Sequence, residues 1–272
     1  MTVDRRAFLR RAGLVTGGAA AGVAATSGAA DFHINQQLRY SAKAVGGYRP
    51  KNLTASIIAY RVPTTEPVVA LTLTTVRRSP YTAKVLDILE REQVTATFNL
   101  IGRHVAAYPE LAKRVAANHE VGNHTWSHPN PALARAPAAR DQLRRGADII
   151  AETTGRHPRV FRPPYGSISG ATMMLAVSMG YPIVLWDFEF NQHGRSAAAN
   201  VTHMTRQARP GSIILGHDGG TLNCDVVIDA LPALIDRLRE KGLQFVTTTD
   251  LLRLVASAGT RRAGQSSRRS RW

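Results

Sequence analysis

Between residues 68 and 252, short runs of β-branched and apolar residues alternate with longer segments whose apolar positions recur three and four apart. Parallel strands that are each followed by a helix produce this pattern. A strand covered on both faces reads as a continuous apolar run, whereas the covering helix buries only one stripe. The pattern predicts seven strands, at 68–73, 95–101, 120–123, 160–162, 182–186, 212–216 and 244–247. Helices are predicted at 83–92, 110–118, 138–153, 171–179, 201–207, 226–241 and 249–255. In the sixth helix Val227, Leu231, Leu234 and Leu238 fall on one face, and Gly242 ends it. Units of this kind close into a barrel or form an open sheet. In either case, reactive side chains gather beyond the C-terminal ends of the strands.

The two ends of the chain lack this patterning. Asp4-Arg5-Arg6-Ala7-Phe8-Leu9-Arg10 precedes a weakly apolar stretch, with Ser27-Gly28-Ala29-Ala30 ahead of Asp31, so residues 1–30 read as an export signal resembling the twin-arginine type. The alternative is a basic N-terminal membrane helix. Ala, Gly and Thr dominate residues 12–30, however, and would partition poorly into hydrocarbon. Residues 31–67 carry breakers at Gly46-Gly47, Pro50, Pro63 and Pro67 and read as an N-terminal extension. Residues 253–272, with Arg261, Arg262, Arg268, Arg269 and Arg271 among Ser, Gly and Gln, read as a basic disordered tail.

At 272 residues and 44% hydrophobic content the chain can bury one sizeable core. Its formal charge is +16. Loss of Arg5, Arg6, Arg10 and Arg11 against Asp4 would leave +13. The tail either binds an anionic envelope polymer or headgroup, or is a solvated end. The export signal and the absence of aromatic-basic interleaving argue against nucleic acid as a partner. No other segment is long and apolar enough to cross a membrane. The single cysteine, Cys224, cannot form an internal disulfide.

Candidate chemistry sits after the predicted strands. Gly122-Asn123-His124-Thr125-Trp126-Ser127-His128-Pro129 follows the third and puts two imidazoles four residues apart, a spacing suited to a metal. Alone, such a pair is more often a surface accident. Phe161-Arg162-Pro163-Pro164-Tyr165-Gly166 follows the fourth strand, with a proline-stiffened loop and a fixed charge, and Leu215-Gly216-His217-Asp218 follows the sixth.

These motifs, in this order, closely resemble those of the polysaccharide deacetylases of the NodB-homology type, over residues 68–252. Ala96-Thr97-Phe98, Tyr108-Pro109-Glu110-Leu111, Arg209-Pro210-Gly211-Ser212-Ile213 and 241–246 match the same framework. The resemblance implies a distorted (β/α) barrel of about seven parallel strands. It further implies a divalent metal held by one Asp and two His, a second Asp as general base and a late His as general acid. The two aspartates of such enzymes lie in a Thr-Phe-Asp-Asp-Gly-Pro loop after the first strand. Here that stretch is Thr72-Leu73-Thr74-Thr75-Val76-Arg77, so Thr74 occupies the place of the base and Thr75 that of the metal carboxylate.

A threonine hydroxyl is neither a proton acceptor near neutral pH nor a good zinc ligand. Loss of the base alone is expected to cost ~10²–10⁴ in rate. By the resemblance, His124 and His128 remain as metal ligands, Arg162 as the former orienter of the base, Tyr165 as a backbone donor to an oxyanion and His217 as the acid. Trp186, Arg77 and Asp218 are candidates for substrate contact. After the fifth strand, Glu189 stands where the family usually has Asp, and Gln192-His193 replaces an Asp-Trp pair.

Two readings follow. In the first, the protein is exported, binds N-acetylated envelope glycan or peptidoglycan, and is catalytically impaired; its zinc is weakened or lost, and Arg77 and Arg78 beside the histidines turn a cation site toward phosphate, carboxylate or sulfate. In the second, an active metal-dependent hydrolase of acetamido C–N bonds recruits a substitute carboxylate from Asp187, Glu189, Asp218 or Asp225. Cys224 as a metal ligand is the less favoured variant of that idea.

Overall fold

The computed structural model describes residues 58–75, 80–190, 194–219 and 224–254. The export signal, most of the N-terminal extension, Arg77, Arg78, Gln192, His193 and the arginines of the tail lie outside them.

The strands are β1 (Ile58–Ala59), β2 (Val68–Thr75), β3 (Thr97–Leu100), β4 (Glu120–Asn123), β5 (Ile183–Val184), β6 (Phe188–Glu189), β7 (Ile213–His217) and β8 (Gln244–Phe245). Between them run α1 (Pro80–Arg91), α2 (Gly102–Ala107), α3 (Pro109–Asn118), α4 (Ala136–Thr154), α5 (Gly170–Ser178), α6 (Ala197–Gln207) and α7 (Asp225–Glu240). A last helical stretch covers 248–254. The main sheet has the order β4-β3-β2-β7-β6, with β8 on the first residues of β2, and every strand pairing is parallel.

The sheet curls into a distorted barrel. Single bridges from Asn123 to Phe161 and from Phe161 to Ile183 carry it from β4 to β5. The 160–162 strand expected from sequence shrinks to Phe161 because Pro163 and Pro164, which follow Arg162, have no N–H to extend a ladder. β1 then fills the gap between β5 and β7. It pairs with β5, Leu185 N–H donates to the Ala59 carbonyl, and Val62 N–H donates to the Gly211 carbonyl. Residues 58–62, read from sequence as part of the extension, thus complete the wall.

Alternation along β2 separates two environments. Val69, Leu71 and Leu73 point outward into the main core, against Val85 and Leu89 of α1 and Val227, Leu231, Leu234 and Leu238 of α7. Burying side chains of this size contributes about 1.5–3 kcal/mol each. The expected face of the 226–241 helix is the one that packs. Ala70 points inward with Val160, Val184 and Ile213, and Leu251 and Leu252 of the last helical stretch plug this end of the barrel. Thr72 and Thr74, the next inward positions of β2, stand above the plug toward the C-terminal strand ends.

Candidate functional site

The loop after β4 is shaped by Asn123. Its side-chain carbonyl accepts from Thr125 N–H at 2.9 Å, and its Nδ2 donates to the Leu143 carbonyl of α4 at 2.8 Å. Thr125 and His128 have left-handed backbones, φ 67° and 63°. The strain this implies is held by Thr125 Oγ1, which accepts from His128 N–H at 3.0 Å. The loop turns His124 inward, buried, with its ring 4.8 Å from that of His128. His124 Nδ1 lies 2.6 Å from the Arg162 carbonyl. A carbonyl can only accept, so Nδ1 carries the proton and Nε2 presents a lone pair. Burial, then His128, holds the pKa of His124 well below its ordinary value.

Arg162 is only 1% exposed. Its Nε donates to the Val184 carbonyl at 3.2 Å, and its two terminal nitrogens donate to Thr72 Oγ1 and the Leu185 carbonyl, each at 2.8 Å. The Thr72 hydroxyl passes its own proton to the Ile214 carbonyl at 2.7 Å. All of these acceptors are neutral, and among the described residues no carboxylate forms an ion pair with Arg162. Burial lowers its pKa to about 9. Half-buried Trp186 lies over the guanidinium, 5.8 Å from the ring centre.

Register places Thr74 between Asn99 on β3 and His217 on β7. Phe98 and Leu100 lie in the outer core, so Asn99 points inward, and the three side chains form one row across the strand ends. The amide of Asn99 is fully buried, and neither its oxygen nor its nitrogen has a hydrogen-bond partner. It lies over Gly122, where a Cβ would come within 2.5 Å of the Asn99 oxygen. Burial, then the Arg162 and His128 charges, lowers the His217 pKa to about 4. The surroundings of the ring thus favour a neutral imidazole.

Tyr165 is exposed, with φ 61°, and sets its ring 4.7 Å from His128. Trp186 packs over Gly166 of the same turn. His124, His128, Arg162, Tyr165, Trp186, Thr74 and His217 are thus brought to one end of the barrel. Asp218, next to His217 at the end of β7, is fully buried. Of Thr75, the backbone pairs with Leu100.

The proposed substitute carboxylates are dispersed. Asp187 sits at the opposite end, where it accepts from Ser212 Oγ at 2.9 Å and faces Arg209 at 4.0 Å. Asp225 opens α7. Glu189 pairs with Leu215 and so faces inward, exposed, with its carboxyl raised by desolvation. Among the described residues no group of three or more His, Cys, Asp or Glu is placed to hold a metal ion. Two imidazoles beside a threonine row are a poor donor set for zinc, and the residues present do not fit the family's metal. Asn99 and Thr72 escaped notice in the sequence. The one available signal was a polar Asn between Phe98 and Leu100 in a strand otherwise buried on both faces.

A family model described as polysaccharide deacetylase matches residues 61–184. A peptidoglycan-N-acetylglucosamine deacetylase of Bacillus cereus is 36% identical over 193 residues, 70% of this chain and 70% of that protein. The peptidoglycan-N-acetylmuramic acid deacetylase PdaA of Bacillus subtilis is 32% identical over 197 residues, 70% of this chain and 73% of its own. Among solved structures, a CE4 family pseudoenzyme from Bacillus anthracis aligns with TM-score 0.67 and 29% identity, over 76% of this chain and 70% of that one. A mutant of this pseudoenzyme with restored enzymatic activity aligns with TM-score 0.68 and 29% identity, over 76% of this chain and 72% of that one. With identity at this level over seven-tenths of both chains, and a parallel barrel carrying two histidines, an arginine and a late histidine at its strand ends, the chain belongs to the polysaccharide deacetylase family of the NodB type.

Proposed function

We propose that this protein is an exported, polysaccharide-deacetylase-like binder of N-acetylated envelope glycan with little or no hydrolytic activity of its own. The observation that carries the reading is Thr74, seated between Asn99 and His217 at the C-terminal strand ends, beside an Arg162 that has no carboxylate partner among the described residues.

Hydrolysis of an acetamido group needs a base to take a proton from the attacking water and an acid to protonate the leaving nitrogen. The Thr74 hydroxyl cannot serve as the base near neutral pH. Burial and the Arg162 charge disfavour the protonated form of His217 that an acid role needs. In the family the metal polarises the carbonyl; the donors described here do not fit it. What remains suits binding. Tyr165 and Trp186 offer aromatic faces at the mouth, and His124 presents its Nε2 lone pair.

The relatives, deacetylases of peptidoglycan N-acetylglucosamine and N-acetylmuramic acid, support an extracytoplasmic glycan as the ligand. The charge pattern of residues 1–30 supports export, and the arginines of the tail support retention on anionic envelope polymer. Among the described residues no helix is long and apolar enough to cross a membrane. One observation favours retained activity instead: Glu189 faces inward beside β7 as a candidate substitute carboxylate.

The deciding experiment measures zinc in the mature protein after equilibration with zinc and desalting, beside a Thr74→Asp/Thr75→Asp double variant, with acetate release from acetylated chitooligosaccharide as the second readout. The expected result is little zinc and no acetate from the natural protein, and stoichiometric zinc in the variant. Stoichiometric zinc with acetate release from the natural protein would overturn the reading and establish a substitute ligand.

A further inference from the structure

The N-terminal ends of the strands, opposite the histidine loop, border an open cleft of about 720 Å³. Its walls come from the residues around the starts of β3 and β4, from the 155–159 turn between α4 and Phe161, and from the start of the last helical stretch. Arg156, Arg159 and Arg253 line it, with Glu120 and Asp250 as its acidic groups. Both carboxylates are already engaged. Buried Glu120 accepts from Thr97 Oγ1 at 2.7 Å and from the Thr249 hydroxyl. Asp250 accepts from Thr247 Oγ1 and pairs with Arg253, each at 2.7 Å. Arg156 and Arg159 are exposed on the cleft and form no ion pair among the described residues.

The turn that carries these two arginines is fixed at several points. Gly155 ends α4 with φ 68°, Arg156 N–H donates to Thr154 Oγ1 at 3.2 Å, and Arg159 N–H donates to the Val121 carbonyl at 3.2 Å. Pro158, between them, is buried and stiffens the turn. One terminal nitrogen of Arg156 rests against the Ala117 carbonyl at 3.4 Å, which leaves most of its five N–H donors unused. On the same wall His119 Nδ1 accepts from Ala96 N–H at 3.3 Å, so the neutral ring that burial favours carries its proton on Nε2.

We propose that this cleft holds one strand of an anionic polymer, whose phosphate or carboxylate oxygens pair with Arg156 and Arg159, at the end of the barrel away from the histidines. Guanidinium pairs with such oxyanions in bidentate fashion, and a turn held in place loses little freedom on binding. No Phe, Tyr or Trp lines the cleft, so it lacks the aromatic faces on which a neutral sugar or a nucleobase stacks. A flat bilayer surface cannot follow a concave wall, whereas a single strand can. In the adjoining cleft Arg114 is paired with Asp87 and Glu90, which confines the uncompensated charge to the larger one.

The sequence adds to the same end of the molecule. The chain passes from Arg253 on the cleft into the tail, whose arginines begin eight residues later at Arg261, within about 30 Å along an extended chain. Held by this end, the protein presents its mouth to a second polymer. The inference goes beyond the glycan reading and stands on different residues.

The test measures binding of the mature protein to long-chain polyphosphate and to polygalacturonate over a range of salt concentrations, with neutral dextran and phosphatidylglycerol vesicles beside them. At least one of the two polyanions should bind, and dextran should not. Arg156→Gln/Arg159→Gln should weaken that binding by about tenfold or more and reduce the slope of log affinity against log salt by about one per arginine. Arg140→Gln/Arg144→Gln, which removes the same charge from the exposed face of α4, should change it by less than about threefold. The loss from the cleft pair should persist when Arg261, Arg262, Arg268, Arg269 and Arg271 are all replaced by Ser. Thermal melts check that each variant folds.

Unchanged affinity in the folded cleft variant would overturn the proposal, as would an equal loss in the α4 variant, which would leave net charge as the cause. Disappearance of the cleft effect once the tail arginines are replaced would also overturn it and assign binding to the tail. Binding confined to the vesicles would overturn it in favour of a lipid headgroup surface.

Discussion

Three histidines are held neutral by their surroundings. Burial, followed by the Arg114 charge, lowers the His119 pKa to about 4, burial and Arg162 do the same for His217, and burial, then His128, holds His124 well below its ordinary value. In the unfolded chain each titrates near 6.5. The unfolded state therefore binds more protons between about pH 6.5 and 4, and stability falls as pH drops through that window. Full protonation of His119 or His217 is expected to cost on the order of 3 kcal/mol each. Thermal melts from pH 7.5 to 4.5 should show Tm falling steadily below about pH 6.5. His217→Gln, which keeps a polar side chain and cannot titrate, should flatten part of that slope. A Tm independent of pH across this range would contradict the burial assigned to these rings.

At the scale of elements, the histidine loop depends on the helix beneath it. Gly146 in α4 lies where a Cβ would meet Asn123 Oδ1 at 2.7 Å and the Thr125 carbonyl carbon at 3.0 Å. In an isolated helix, Gly→Ala gains up to about 1 kcal/mol. Here the added methyl pushes on the residue that shapes the turn, so Gly146→Ala is expected to destabilise by about 1–3 kcal/mol, read as a shift in denaturant midpoint. Gly211 presents a harder limit at the turn into β7. With φ 84°, it lies so close to the 58–62 segment that a Cβ would stand 1.7 Å from the Val62 carbonyl oxygen. Gly211→Ala should cost at least about 3 kcal/mol and loosen residues 58–62, detectable as faster amide exchange at Val62, whose N–H donates to the Gly211 carbonyl. A melt unchanged from the natural protein would mean that this segment is not part of the barrel wall.

At the scale of the molecule, closure of the ring makes a site out of separate motifs. Arg162 reaches Thr72, ninety positions away, and Thr74 is the register partner of both Asn99 and His217. The same closure sets Asp187 at the far end, where it is tied to Ser212. The zinc and acetate-release measurements act at this scale, because both ask what the assembled strand ends hold and do.

By itself the sequence determined the alternation of parallel strands and helices, the order of the site motifs and the substitution of Thr74 and Thr75 for two aspartates. These are local properties: a two-residue or near-four-residue period, a short motif, a residue type at an aligned position. The helix at Gly102–Ala107 and the strands at Ile58–Ala59 and Phe188–Glu189 were not legible, because six or two residues carry too little periodicity. The expected strand at 160–162 was cut to one bridge by the prolines that follow it. Tertiary structure alone decided which face of each strand looks inward. Alternation separates two faces without saying which meets the helices, and so the orphaned amide of Asn99 could not be read from sequence. The burial of Arg162 and its hold on Thr72 and two backbone carbonyls were equally hidden, since both depend on contacts between residues far apart in the chain.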